Sequence, residues 1–570
     1  MLERLKKRTF LTIYNSNLFT SDLLAGITLF VMLIPQGMAY AMLAGIPPVM
    51  GLYAATIPLF IYAIFASSKH LSVGPVAISS LLVFSGVSGL AEPNSSSYVS
   101  YVLVLAAMVG AIQLLLGVSR LGFIVKFIPH SVMNGYTSAA AIVIGVSQIK
   151  HVLGIDVGNY LQIHYLLFDV LQEFKNVNLL TVLIGLASMS LLIIFKKIGP
   201  RMPGALIIVI ISSALVYLFS LEEKGVRIVG DVPTGLPAFI LPDFTIETIK
   251  LLVPMAITIA LMGFMESLAI AKTIARKEKY LIYPNRELKA IGLSNLIGAF
   301  FQSMPINGSF SRTAVNHQSG GATQVTSVIT GILVIITLLF FTSYFYYLPN
   351  AVLAAIILVA VYSLVDIKEL KHLFEINRFE GLVWITTFIV TLFVGIQWGI
   401  VIGAIFTLIL LLKKSAQPSI VELGYVKEEK TYHNIERYLD AVTSDQALII
   451  RIDSSLHFAN ISFIEEKLKN LLMNRRNTKW VIINMAGVND VDTISVDTLE
   501  EMIDHYQRQG ITILFSNMKG SIRDTMNKVH WNKKYQEQMN HLPLEQLLKE
   551  KGINIDSSKQ LEPGVLDYHI

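Results

Sequence analysis

Asn307-Gly308-Ser309-Phe310-Ser311-Arg312-Thr313 sets an arginine inside a long apolar region of the chain. An arginine at the centre of a membrane helix costs about 2.5–3.5 kcal/mol on insertion scales, so it has to face protein or a wet cavity. Pro305 and Gly308 break the preceding helix and leave Ser309 to Thr313 as the first turn of a short one. A helix start presents unpaired backbone N–H groups and about half a positive charge. With a guanidinium added, the place is suited to hold an anion. A matching break, Leu71-Ser72-Val73-Gly74-Pro75-Val76-Ala77, interrupts an apolar stretch of the first half, and Pro75 suits the first position of a helix. Two interrupted helices in corresponding places point to a transporter site at the bilayer midplane. The reading is two half-helix N-termini facing one anion.

Composition sets the class. With 570 residues, 53% hydrophobic and 15% charged, the chain reads as a polytopic α-helical membrane protein. The absence of cysteine excludes disulfides, thiol catalysis and cysteine-based metal sites. The net charge of +5 is accounted for by basic loops and does not point to nucleic acid. No cleavable signal peptide is read near Met1, and no metal cluster, cofactor motif or catalytic nucleophile with the spacing chemistry needs.

Arg4, Lys6, Lys7 and Arg8 mark a cytoplasmic N-terminus. The first span, about Leu23 to Ala44, carries Pro35 and Gly37, which loosen its middle, and Gln36 and Tyr40, four apart on one face. Gln36 reads either as a helix–helix hydrogen bond or as a neutral donor in an anion cavity. Further spans follow at about 49–66, a short helix from Pro75, 101–118, from Phe127 to Gln148, one ending at Lys196, and Pro203 to Ser220. A polar linker separates these from seven more: about 249–275, 288–301, the short helix of the opening motif, 325–344, 349–365, 379–395 and 398–412. Residues 149–178 read as a mixed, amphipathic external segment. Lys69, Arg120, Lys126, Lys197, Arg201, Lys272, Arg276, Arg378 and Lys413 all fall on one side of this count. Glu266 is the one acid in its apolar run.

After Pro418 charges become frequent and no apolar run is long enough to span. Strands at 447–453, 480–485 and 511–516 alternate with helices at 461–472 and 496–509, a small soluble α/β domain. The organisation expected is 1–20 cytoplasmic, 21–414 membrane region in halves of about 21–220 and 248–414, 415–440 linker, 441–555 soluble domain and 556–570 tail.

These motifs together resemble the sulfate permeases and their animal relatives in solute carrier family 26. The run Pro35 to Tyr53, Ser72-Val-Gly-Pro75 and Ser309 to Val315 carry the resemblance, and Ile452 to Asn460 is similar to a STAS domain. The resemblance implies a seven-plus-seven inverted repeat, divided into a core and a gate domain, an elevator-like motion and a homodimer in the cell membrane with a cytoplasmic STAS domain. It places the substrate site at Gln36 and Tyr40, the backbone of Val76 and Ala77, and Ser311 and Arg312.

By the family pattern Glu266 lies near Arg312. Burial opposes and a guanidinium favours its charged form, so arrival of an anion that competes for Arg312 would promote proton uptake. This gives a basis for proton–anion symport; the alternative is a static Glu–Arg pair that orients the arginine. Sulfate is the favoured cargo. Bicarbonate or dicarboxylate transport with sodium or protons, anion exchange, and membrane signalling through the STAS domain are the other readings. Bicarbonate relatives carry an aspartate at the Glu266 position and, four residues on, a threonine that helps hold sodium; here that residue is Ile270. In the STAS domain Asp492-Thr493-Ile494-Ser495 departs from the phosphorylated motif of bacterial relatives, because Ile494 cannot accept phosphate.

Overall fold

The computed structural model describes residues 14–123, 129–158, 162–198, 204–362, 364–473 and 475–553. Arg4, Lys6, Lys7, Arg8, Lys126, Arg201, the expected span starts at Phe127 and Pro203, and the tail 556–570 lie outside the described residues. The first half runs α1 (Ser16–Leu43), α2 (Pro48–Tyr53), α3 (Ile57–Phe65), β1 (Val73–Gly74), α4 (Ala77–Val87), α5 (Ser96–Val118), α6 (His130–Leu153), α7 (Ile163–Gln172), α8 (Leu179–Ile198) and α9 (Gly204–Leu218). The second half repeats the order: α10 (Ile246–Lys277), α11 (Pro284–Ala299), β2 (Asn307–Gly308), α12 (Phe310–Gln318), α13 (Val325–Phe340), α14 (Asn350–Tyr362), α15 (Ile367–Ile376), α16 (Arg378–Phe393) and α17 (Ile396–Ala416). Among the described residues seven helical segments are long and apolar enough to cross a membrane by themselves. Helix starts are set by local chemistry: Asn15, Ser95 and Thr245 each accept a backbone N–H of the first turn of α1, α5 and α10.

The packing repeats with the sequence. α1 lies against α13 and α12 as α10 lies against α5 and α4, and α6 packs on α16 as α14 packs on α8. The amphipathic α7 and α15 occupy equivalent places in the two orders. The helices divide into two groups: α1–α5 with α10–α13, and α6, α8 and α9 with α14 and α16. These are the core and gate of an inverted-repeat membrane protein.

Two sequence readings are corrected here. α1 runs unbroken through Pro35, and Gly37 does not loosen it. Gly37 and Gly51 instead let α1 and α2 touch backbone to backbone, since a Cβ on Gly51 would collide with the Gly37 carbonyl. Pro75 is not the first residue of α4; Val76 is the N-cap and Ala77 begins the helix. The reason is that Val73 and Gly74 are committed to strand pairing, so the chain cannot turn helical as early as the proline permits.

The chain divides into compact units between Thr407 and Leu408. The second unit carries β3 (Ile420–Val426), β4 (Thr431–Asn434), β5 (Ala447–Ile452), α18 (Ile461–Met473), β6 (Trp480–Asn484), α19 (Thr493–Arg508), β7 (Thr512–Ser516), α20 (Gly520–Asn527), α21 (Trp531–Lys534) and α22 (Leu544–Glu550). Its sheet has the order β4-β3-β5-β6-β7, with β5, β6 and β7 parallel. One face packs under α18 to α21 and the other under α22. Residues 415–440 are therefore not a plain linker, because β3 and β4 supply the antiparallel edge of this sheet. The alternation of apolar Val421 and Leu423, both buried, with Glu422, which turns to the other face and meets Arg475, is a strand pattern, hidden in the sequence by the charged turn Lys427 to Lys430.

Candidate functional site

The site is built on a crossing of two strands of two residues each. Val73 pairs with Gly308 and Gly74 with Asn307, antiparallel, and the Ser309 N–H donates to the Ser72 carbonyl at 2.9 Å. Such short strands have little stability of their own, so side chains hold them. The Gly308 N–H donates to Ser267 Oγ at 2.8 Å, and that hydroxyl donates in turn to the Gly263 carbonyl at 2.6 Å. Asn295 takes the Ile306 N–H at 2.7 Å and donates to Gln113 Oε1 at 2.9 Å, and Asn307 donates to Ser79 Oγ at 2.6 Å. Gly74 sits at φ +147°, a conformation side chains rarely adopt, and a Cβ there would crowd Arg312 Nη2 at 3.2 Å.

From this crossing α4 and α12 begin, each with its N-terminus towards one cavity of about 390 Å³. The Val76 N-cap has no side chain to offer, so the first N–H groups of α4 keep no side-chain acceptor. Ser309 caps α12 through the Arg312 N–H at 3.4 Å and lies 3.3 Å from Ser311 Oγ. Gln36, Tyr40, Val76, Ala77, Ser311 and Glu266 all line the cavity. The opposite wall is apolar, from Phe195 on α8, Ala205 on α9, and Ile356 and Val359 on α14. One group of helices thus contributes the polar lining and the other the greasy one.

Arg312 takes a different place from the one its motif suggests. It does not line the cavity but stands behind Gln36 with 0% of its surface exposed. Nη1 donates to the Pro75 carbonyl at 3.0 Å and to Gln36 Oε1 at 3.4 Å, while Nε and Nη2 have no partner among the described residues. Buried donors left unpaired are uncommon and costly, which marks the spot as one kept for a function. No ion pair joins Glu266 to Arg312 among the described residues, which disfavours the static Glu–Arg pair.

Sequence reasoning missed two buried carboxylates. Glu287 accepts from Tyr62 Oη, the Ser67 N–H and Oγ at 2.6 Å, and the Ser68 N–H at 2.7 Å. Asp22 accepts from the Ala322 N–H at 2.7 Å, the Thr323 N–H at 3.1 Å and Tyr14 Oη at 3.1 Å. Both satisfy a buried acid with neutral donors in place of a cation. Only their polarity within an apolar chain could have singled them out. Ser495 of the second unit is fully buried, and its N–H donates to Asp492 Oδ1 at 2.8 Å, while Ile494 faces outward.

Geometry of this kind, paired broken helices opening on a cavity between two repeat-related groups, is that of a membrane transport protein. The chain matches the sulfate permease family over residues 19–387 and the STAS domain over 438–541. It is 36% identical over 531 residues to sulfate transporter 4.1, chloroplastic, of Arabidopsis thaliana, covering 90% of this chain and 77% of that one. Sulfate transporter 1.3 of the same plant is 32% identical, with 91% of this chain and 82% of that one covered. Among solved structures, murine solute carrier 26 family member A9 matches with a TM-score of 0.89 at 24% identity, over 96% of this chain and 93% of that one. The transmembrane domain of a cyanobacterial bicarbonate transporter matches with a TM-score of 0.60 at 21% identity, over 69% of this chain and 98% of that one. The chain belongs to the sulfate permease family and is a multi-pass membrane anion transporter with a STAS domain.

Proposed function

We propose that the chain is a proton-coupled sulfate symporter of the cell membrane, with its N-terminus and STAS domain cytoplasmic, working as a homodimer by an elevator-like motion. The observation that carries this is the single cavity on which two helix starts, Gln36, Tyr40, Ser311 and Glu266 converge. Sulfate needs donors, and the uncapped N–H groups at Val76 and Ala77 and the Ser311 hydroxyl supply them. Gln36 accepts from Arg312 through Oε1, which leaves its NH₂ free to turn to the anion and carries the arginine's charge forward.

Glu266 sets the coupling. A carboxylate about 6 Å from a dianion, at an effective dielectric of about 20, repels it by on the order of 5 kcal/mol. A proton on Glu266 removes that cost, so sulfate and proton enter together. Ile270, buried one turn along α10, offers no side-chain oxygen to a sodium ion. The polar lining on the core and the apolar lining on the gate favour a core that slides past the gate with its cargo. The names of the plant relatives favour sulfate over other oxyanions.

The test is radiolabelled sulfate uptake into proteoliposomes with and without an inward proton gradient, for the native chain and Glu266→Gln. The expected result is uptake stimulated by the gradient in the native protein and indifferent to it in the variant. Uptake of bicarbonate with sodium, and none of sulfate at any pH, would overturn both cargo and coupling.

A further inference from the structure

A second cavity, of about 1010 Å³, lies on the face of the membrane unit where the loops after α3, α10 and α12 meet. Its walls are fixed. Glu287 holds Ser67 and Ser68, Asp22 holds Ala322 and Thr323, and Gln324 Nε2 donates to the Ser68 and Leu71 carbonyls at 3.0 Å. Tyr280 is the anchor of the floor: its hydroxyl takes the Lys69 N–H at 3.2 Å and lies 3.1 Å from His70 Nδ1. The His70 and His317 rings meet edge to face at 5.6 Å, and Lys69 Nζ stands 5.4 Å from the centre of the Tyr280 ring.

Behind the walls the carboxylates of Asp22 and Glu287 are spent on neutral donors, and the charged side chains that reach the pocket surface are mostly basic. Lys69 and Arg286 are both exposed to it, and neither forms an ion pair among the described residues. Arg286 spends only Nε, on the Phe65 carbonyl at 2.9 Å, and keeps its fork of Nη1 and Nη2 available. The one carboxylate in the lining, Glu278, is engaged by His317 Nε2 at 2.8 Å. Burial, with His317 beside it, pushes the His70 imidazole down to about 4, so the cations left to meet a ligand here are Lys69 and Arg286. The rim has another character. Ile64 lines the pocket while 68% exposed, and Phe65 beside it is 46% exposed, an apolar lip at the end of a membrane helix.

We propose that this pocket binds a phosphate-bearing anion between Lys69 and Arg286, with the apolar lip at Ile64 and Phe65 seating the acyl part of an anionic phospholipid. A guanidinium fork and an ammonium in a preformed pocket match a phosphate, and basic pockets at the ends of membrane helices take anionic headgroups. The site is separate from the transport cavity, which shares no lining residue with it.

The test is a thermal-shift titration of the purified full-length protein with short-chain phosphatidylglycerol, short-chain phosphatidylcholine and inorganic phosphate. The native chain and Lys69→Gln/Arg286→Gln are compared, with Lys69→Gln alone as the milder variant. The expected result is stabilisation by phosphatidylglycerol and not by phosphatidylcholine, with apparent affinity on the order of fivefold weaker in the single variant and thirtyfold weaker in the double one. Stabilisation by inorganic phosphate as strong as by phosphatidylglycerol assigns the pocket to a free anion and overturns the lipid. Equal titrations in native and double-variant protein, or no response to either phosphate probe, overturn the site.

Discussion

The Arg312 guanidinium is held by oxygen acceptors and not by an acid, and among the described residues its one bonded side-chain nitrogen, Nη1, is shared between the Pro75 carbonyl and Gln36. Arg312→Lys keeps a charge but lacks the guanidinium's further donors, Nε and Nη2, and presents its charge as a compact ammonium in place of a planar group. We expect sulfate uptake to fall on the order of tenfold or more, with the variant still folded by thermal shift. A residue in the STAS domain makes a separate case. Asp492 caps α19, taking the Ser495 N–H at 2.8 Å and the Phe458 N–H at 2.7 Å. Burial pushes its carboxyl up, but the hydrogen bonds from Ser495 and Phe458 outweigh that and hold it below the usual value. Its contribution is present above the unfolded value of about 3.9 and is lost as pH falls through the folded one. Asp492→Ala should weaken α19 by about 1 kcal/mol at neutral pH, read as faster amide exchange at Ser495, and the gap should close below about pH 4. At this scale the sequence was informative where a motif is local: Gln36 and Tyr40 are one turn apart, and Ser309 to Arg312 is one helix start. Asp22 and Glu287 were not legible, because their partners lie at Thr323 and Ser67, two to three hundred residues away.

The two-residue strands β1 and β2 are the smallest elements of the fold and carry the most consequence. Their crossing aims α4 and α12, yet a pair this short leaves no periodic signal, and only the proline and glycine breaks announced it. What fixes them is close packing against α10. A Cβ on Gly263 would overlap the Asn307 amide, so Gly263→Ala must turn that amide away from Ser79 Oγ, the bond that ties β2 to α4. Gly51 is tighter in kind, since its Cβ would meet the Gly37 backbone carbonyl, which has no rotamer to escape into. Overpacking of this sort costs about 1–3 kcal/mol, and the larger share belongs where backbone must move. We therefore expect Gly51→Ala to lower Tm more than Gly263→Ala, while Gly263→Ala loses more sulfate uptake for each degree of Tm, because it cuts the Asn307–Ser79 bond at the crossing from which α4 and α12 start. The reverse order would place the rigidity of the site somewhere other than the crossing. β3 and β4 teach the opposite lesson, for there alternation was present in the sequence but overlaid by charge.

Across the whole membrane unit, the repeat explains why one half cannot work alone. β1 needs β2 as its partner, and the cavity takes one helix start from each half. The seven-plus-seven order was readable from hydrophobic spans and basic loops, whereas the grouping into core and gate follows from contacts between helices far apart in sequence. If transport is a sliding of core against gate, a tether between them must stop it and a tether inside the core must not. The chain has no cysteine, so introduced pairs are the only thiols present. Val315 on α12 and Ala205 on α9 face the same cavity from the core and the gate. Gly122 and Asn285 are joined within the core by an N–H···Oδ1 bond of 3.0 Å. With cysteines at Val315 and Ala205, a reducible bifunctional thiol reagent should abolish sulfate uptake, and reductant should restore it. The same treatment of cysteines at Gly122 and Asn285 should leave uptake within about twofold of the untreated protein, the spread expected of a tether that loads no moving part. Uptake surviving the first tether would mean that the anion passes between two groups that stay fixed, as in a channel, and Glu266 would then have no cycle to couple to.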